Sequence, residues 1–375
     1  MKIEFISLRK AENMMITEQK TSKNKNRILS TKRNIPRGSV GCFWRIRTTL
    51  PIMLLLLISV SVSHPFPLVF SEHPQSIEGK ISISGAWALY PLVVRWAEEF
   101  QKENPGVKID LQAGGAGKGM ADMLSGLVDI GMVSREIYSA ELSRGAWPIA
   151  VARDAVVVTL NNKNPFLNIL LEKGLTQKTL QAIFVDGTIR SWEEIFGLPG
   201  KTPINVYTRS DACGAAETWA AFLGAHQEDL KGIAIYGDPG LAQAVRRDPF
   251  GLGFNNLNFA YNPETLRPHE GLVVGLLDLN QNGQLEPEEK FYDDRNQLVK
   301  AIDQGRYPSP PARDLYLVIK KNTYNNLVLT FLDWVLRKGQ DLVEATGYLR
   351  VSSQTLEREK QKLQDLKQPQ GGKAP

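Results

Sequence analysis

Three stretches rich in glycine and alanine follow short apolar runs. They are Ser84-Gly85-Ala86-Trp87-Ala88-Leu89-Tyr90, Ala113-Gly114-Gly115-Ala116-Gly117-Lys118-Gly119 and Arg209-Ser210-Asp211-Ala212-Cys213-Gly214-Ala215. Each reads as a strand end, a loop and the start of a helix. A helix N-terminus presents unpaired N–H groups and a partial positive charge. Small residues let an anion approach that backbone closely. In parallel α/β sheets, ligands bind beyond the carboxyl ends of strands. Converging on one cleft, Ala88, Leu89, Tyr90, Gly115, Ala116, Gly117, Cys213, Gly214 and Ala215 would offer backbone N–H groups to a desolvated oxyanion. Arg209 and Arg135 would add charge-assisted bonds, each worth about 1.5–3 kcal/mol. Taken singly, each loop also reads as a tight connection, and Asp211 as an ordinary helix cap.

Other chemistry is thinly represented. Cys213 near a helix start could be an activated thiolate, or a small residue filling a loop. The chain has four His and no His-x-x-x-His, Cys-x-x-Cys or Gly-x-Ser-x-Gly pattern, which argues against catalysis. The 114–119 loop matches neither nucleotide-loop glycine spacing. One further motif has metal-ligand spacing. Asp278, Asn280, Asn282, Gln284 and Glu289 occupy positions 1, 3, 5, 7 and 12 of a twelve-residue calcium-loop pattern, with Gly283 at 6. The apolar run before it reads as a strand, so only half of the helix-loop-helix context is present. An Asx-rich turn that needs no metal explains the same residues. The expectation is therefore no required cofactor, with structural Ca2+ at 278–289 as the one metal reading.

The elements that would position these loops alternate between β and α. Strands are expected at 80–84, 107–111, 128–133, 154–160, 204–207, 251–254, 273–277 and 315–319. Helices are expected over 89–100, 118–127, 176–184, 192–196, 214–223, 241–247 and 327–345. This order implies an α/β fold, its sheets mainly parallel and flanked by helices. Beyond Gln354 the chain turns charged and then Gly/Pro-rich, which reads as a flexible tail over 354–375.

The 375 residues suffice for two domains. The net charge of +5 is uneven. Residues 1–49 hold twelve Lys/Arg and three acids, leaving 33 basic and 37 acidic residues beyond, a net of −4. No basic surface on the fold points to nucleic acid. Of the two cysteines, Cys42 lies before the apolar run at 50–62, so the count says nothing of disulfides. Arg45 and Arg47, that apolar run and the small residues after it form the pattern of a secretory signal. Residues 1–71 thus read as a basic leader with an export signal. A membrane anchor at 50–70 is the alternative.

With these residues assembled, the chain resembles the phosphate-binding proteins of ABC importers, the PstS-like family of the type II periplasmic solute-binding superfamily. The likeness rests on residues 85–97, 113–119, 128–135, 183–192 and 204–211, in that order, and extends over about 79–350. It implies a two-lobed periplasmic-binding-protein-like fold with a hinge and anion capture between the lobes. Lobe 1 would take 79–158 with 313–350, and lobe 2 would take 159–312, including the calcium-like loop. The resemblance places Arg209 as the anion's anchor, with Asp211 retained beside it. It also exposes departures. Leu89-Tyr90 stands where the family commonly has Thr-Phe, and Ala116 where it has Ser. Ser134 stands where it has an Asp that accepts a hydrogen phosphate's proton, and Cys213-Gly214-Ala215 where it has Ser-Gly-Thr.

The expected function is an exported, non-catalytic solute-binding protein, periplasmic or on the extracellular face. It would be a monomer that hands an inorganic oxyanion, phosphate foremost, to an ABC permease and its ATPase. Asp211 and Ser134 would then read the anion's protonation. The alternative is an extracytoplasmic sensor or surface protein that reuses the fold with calcium at 278–289.

Overall fold

The computed structural model describes residues 77–367. The leader, its apolar run and Cys42 lie outside the described residues, as do 368–375. Among the described residues no helix is long and apolar enough to cross a membrane.

Nine strands form one sheet path: β1 (Glu78–Gly85), β2 (Gly106–Ala113), β3 (Ile130–Val133), β4 (Ala146–Asn161), β5 (Asn205–Arg209), β6 (Ile233–Ile235), β7 (Gly251–Asn256), β8 (Leu272–Val274) and β9 (Ala312–Lys320). Their order is β2-β1-β3-β9-β4-β7-β5-β6, with β8 also on β4. Pairing follows a simple rule. β1 pairs parallel with β2 and β3, and β5 with β6 and β7. Every pairing that involves β4 or β9 is antiparallel. The parallel groups arise where a helix crosses back over the sheet; the two long strands instead run through the middle and need no crossover.

Helices of eight or more residues are α1 (Tyr90–Glu103), α2 (Ala116–Ser125), α3 (Gly214–Phe222), α4 (Asp238–Arg247), α5 (Arg295–Asp303), α6 (Asn326–Leu336) and α7 (Ser353–Lys367). α1 shows why amphipathic spacing suffices: Leu92, Val93, Trp96, Ala97 and Phe100 form its buried face. Two hydrophobic cores result. One gathers Ile81, Trp96, Met132, Leu317 and Phe331. The other gathers Val157, Phe184, Trp192, Trp219 and Phe254. β4 contributes to both, Ile149–Ala152 to the first and Ala155–Leu160 to the second. Gly85 shows how tightly strand and helix meet in the first core: a Cβ there would lie 2.3 Å from the Met132 carbonyl and 2.8 Å from Gly119 Cα.

Three elements differ from their sequence expectation. β4 begins eight residues before the expected 154, because Ala146–Arg153 pair with β9 in spite of Pro148. The long helix expected over 327–345 ends at Leu336 and continues as 3₁₀ turns, Lys338–Leu342 and Glu344–Thr346. Trp96 Nε1 donates to the Gly339 carbonyl at 2.7 Å, a bond that draws this segment onto α1. The stretch read as a loose tail forms α7 as far as Lys367. Most of its charges face outward, Glu359 being the buried exception, while Leu363 is fully buried and Leu356 and Leu366 pack on the first core. Charged composition concealed a sparse apolar stripe. Leu363→Ala is expected to cost about 2–5 kcal/mol in a denaturant melt; an unchanged midpoint would mean α7 does not dock.

Candidate functional site

The end of β5 delivers Arg209 into the interior, where its side chain is 1% exposed. Its Nε and Nη2 donate to the two oxygens of Asp211 at 2.9 and 2.7 Å, a bidentate fork. Its Nη1 donates to Asp238 Oδ2 at 2.6 Å. Asp238 opens α4, and its Oδ1 accepts from Asn256 Nδ2 at 2.7 Å. Burial works against the charge on Arg209, but Asp238 and Asp211 outweigh it and hold the guanidinium protonated. Three of its five N–H donors are thus committed.

The network continues toward the crossing strands. Asn256 Oδ1 accepts from Arg313 Nη2, and Arg313 Nε donates to the Ser134 carbonyl at 2.6 Å. Arg313 on β9 stands in register with Asp154 on β4, and their nearest charged atoms are 3.8 Å apart. Burial raises the Asp154 carboxyl to about 6, with Arg313 opposing that rise. Burial likewise lowers the Arg313 guanidinium, against the pull of Asp154 and Asp238.

Loops from the two cores touch directly here. Gly117 N donates to the Ala212 carbonyl at 3.0 Å. Gly214 packs against Ser134 so closely that a Cβ on it would lie 2.3 Å from Ser134 Oγ. Above this contact lies a cavity of about 460 Å³, lined by Gly117, Arg135, Tyr138, Arg209, Cys213 and Glu217 among others. A second, of about 220 Å³, shares Arg135, Tyr138 and Glu217 with it and adds Thr218, Ser309 and Arg313. Tyr138 OH donates to Glu217 Oε1 at 2.9 Å, linking the two cores across the mouth.

The expected site residues therefore fall into groups. Gly117, Arg135, Arg209 and Cys213 line the larger cavity. Ser134, Asp211 and Gly214 adjoin it through the contacts above. Gly214 and Ala215 form the first turn of α3, where no intrahelical acceptor is available to their amides. Several expected roles change. Asp211 has both oxygens on Arg209 and also accepts from Gly237 N at 3.2 Å, so it serves first as a partner of the guanidinium. Arg135 is forked onto Glu141 at 2.9 and 2.6 Å and lies over the Tyr138 ring, so it is already neutralised where it borders the cavities. The Leu89 and Tyr90 amides both donate to the Ala86 carbonyl at 3.2 Å, and the Ala88 carbonyl accepts from Tyr348 OH at 2.6 Å. Among the described residues, none of 88–90 lines either cavity. Gly115 N is turned inward onto the Gly85 carbonyl at 3.1 Å, and Ala116 is fully buried at the start of α2. Cys213 caps α3, its Sγ accepting from Ala216 N at 3.3 Å, and burial pushes its thiol up to about 12. Burial therefore works against a thiolate there.

The calcium-like loop lies apart from this site and closes on itself. Asp278 accepts from Asn282 N and Gly283 N at 3.3 and 2.8 Å. Glu289 accepts from Leu279 N, Asn280 N and Glu286 N at 2.7, 3.2 and 3.1 Å. Gln284 N donates back to Asn282 Oδ1 at 2.9 Å. Among the described residues there is no group of three or more His, Cys, Asp or Glu placed to hold a metal ion.

Asp154, Asp238, Asn256 and Arg313 were not singled out from sequence. The available signal was weak: Arg313-Asp314 and Arg153-Asp154 each interrupt an otherwise apolar strand.

Comparison with known proteins follows the same outline. Residues 71–338 match the sequence profile described as a PBP superfamily domain. The phosphate-binding protein PstS of Methanocaldococcus jannaschii is 26% identical over 321 residues, covering 72% of this chain and 81% of that protein. PstS of Pseudomonas aeruginosa is 27% identical over 318 residues, covering 76% and 88%. Among solved structures, a putative phosphate ABC transporter substrate-binding protein with bound phosphate from Clostridium perfringens superposes with a TM-score of 0.59. It is 22% identical, with 73% of this chain and 100% of that one covered. At that identity the likeness concerns the fold.

Two outcomes are expected from the site's electrostatics and from the loop. Asp154 titrates higher in the folded protein than in the unfolded chain, so the native state holds the extra proton. Stability should therefore fall as pH rises from about 4 to about 6. Asp154→Asn should remove that part of the slope in melts across this window; parallel profiles would refute it. Glu289→Ala leaves three loop N–H groups without their acceptor and is expected to destabilise by about 1–3 kcal/mol in metal-free buffer. Equal melts in metal-free buffer would show that those bonds carry nothing.

Proposed function

The chain belongs to the PBP superfamily, and on that premise we propose that it is an extracytoplasmic solute-binding protein for an inorganic oxyanion, phosphate foremost. It would take the anion between its two cores and present it to an ABC permease and its ATPase. One observation carries this reading. A cavity of about 460 Å³ is bounded by loops from both cores, and it brings together Gly117, the α3 cap Cys213 and the buried Arg209 guanidinium. Arg209 keeps two of its five N–H donors uncommitted beside this small-residue wall, and charge-assisted bonds of that kind suit a small desolvated anion.

Supporting it, relatives named phosphate-binding protein PstS align over most of their length. A structural neighbour of the same fold is described with bound phosphate. The proposed chemistry is binding alone. The one thiol in the site is buried, which disfavours its ionisation, and His226, 75% exposed in its side chain, stands 3.6 Å from Glu217 without a nucleophile to activate. The two cores, joined by β4 and β9, supply the geometry for closure over a ligand.

Isothermal titration of the full chain tests this reading. Phosphate is expected to bind at micromolar concentration or below. Arg209→Ala should weaken it at least tenfold, since each charge-assisted bond is worth about 1.5–3 kcal/mol. No heat and no competition from phosphate, sulfate, molybdate or tungstate, in protein shown to be folded, would refute it.

A further inference from the structure

The larger cavity carries acidic chemistry that an oxyanion does not use. Glu217 and Glu228 both line it. Glu217 lies one turn into α3 from Cys213, with its side chain 21% exposed. Its oxygens accept from Tyr138 OH at 2.9 Å and from Gln227 N at 3.3 Å, both neutral donors. Glu228 sits exposed on the 3₁₀ turn Gln227–Asp229, and among the described residues its side chain has no hydrogen bond or ion pair. Gln227 ties this turn to the arginine loop. Its Oε1 accepts from Cys213 N at 3.0 Å, and its Nε2 donates to the Asp211 carbonyl at 2.7 Å. The turn that carries Glu228 is thereby fixed beside the loop that carries Arg209.

The charges around the cavity do not balance. Arg209 faces two carboxylates, Asp211 and Asp238. Arg135 is matched by Glu141. Among the described residues Glu217 and Glu228 have no Lys or Arg partner; His226 Nδ1 stands 3.6 Å from Glu217 Oε1. A lone oxyanion would enter against this surplus of negative charge, whereas a solute that brings its own cation would relieve it. Size points the same way. A cavity of about 460 Å³ lies within the roughly 300–1,000 Å³ that holds drug-sized ligands, and orthophosphate is far smaller than those. Leu230 and Ala234 add apolar lining suited to a short carbon chain.

We propose that the cavity takes phosphate as the monoester of a short amino alcohol as well as free. The phosphate end uses the two uncommitted N–H donors of Arg209, and the ammonium end sits against Glu217 and Glu228. The inference rests on the solute-binding reading and deepens it by naming a substrate class.

Isothermal titration of the full chain with orthophosphate, propyl phosphate and aminoethyl phosphate at neutral pH tests it. The two esters match in length and differ in the ammonium group. Aminoethyl phosphate is expected to bind at least fivefold tighter than propyl phosphate. Glu217→Gln with Glu228→Gln should cut that preference at least threefold. Glu228→Lys, at an exposed position, should abolish it and serves if the paired variant fails to fold. Carboxylates with a structural role alone would not move the ratio between the esters. Orthophosphate binding with less than a fivefold preference between the esters would overturn the inference and leave the solute-binding reading standing. A preference that the paired variant cuts less than threefold would do the same. A wild type that binds none of the three would sink both.

Discussion

A guanidinium buried between two carboxylates organises this cleft. Arg209 alone would be too costly to keep charged in the interior; with Asp211 and Asp238 it remains protonated and fixed in direction. The carboxylates are fixed in turn, Asp211 by Gly237 N and Asp238 by Asn256. Because Asn256 also receives Arg313, the restraint extends from β5 through β7 to the crossing strand β9. Each group is oriented by its neighbour, so the wall can present donors at fixed positions without rearranging when charge arrives.

The second constraint is the pair of strands that belong to both cores. β4 passes from one core to the other between Ala152 and Ala155, and the residues between them are Arg153 and Asp154. Polar groups are tolerated there because neither core needs an apolar side chain at the junction. Arg153 reaches Asp303 at 3.0 Å on the outer side, whereas Asp154 faces Arg313 inside. The register of β4 against β9 shifts between Ala150 and Ala152, just before this junction. An irregularity there changes strand direction where two bodies must meet.

Much of the fold was legible because periodicity depends on burial, and burial here is regular. α1, α3 and α4 carry continuous apolar faces, and β1, β5 and β7 fall where short β runs were expected. α7 was missed because two buried positions, Glu359 and Leu363, are too few to stand out among fifteen mostly polar residues. The end of α6 was missed because Gly339 is drawn off the helix by Trp96, which lies more than two hundred residues earlier in the chain. The calcium-like spacing was visible in sequence, but the same oxygens cap the loop's own amides, a competition that spacing alone does not display.

Residue types and local spacing by themselves determined the βα alternation, the three small-residue loops and the presence of Arg209 beside Asp211. They also carried the likeness to anion-binding proteins, because strands, turns and helix starts are specified within about ten residues of chain. Only the tertiary structure decided which donors remain available. Arg135 is consumed by Glu141 six residues away, the Gly117 amide by Ala212, and the Leu89 and Tyr90 amides by their own turn. Arg313 entered the site through a strand pairing that joins residues 154 and 313. A hydrogen-bonding group acts on a ligand only if no nearer group in space has claimed it. Nearness in space, for residues this far apart in sequence, is set by sheet register and by the closure of two cores on one another.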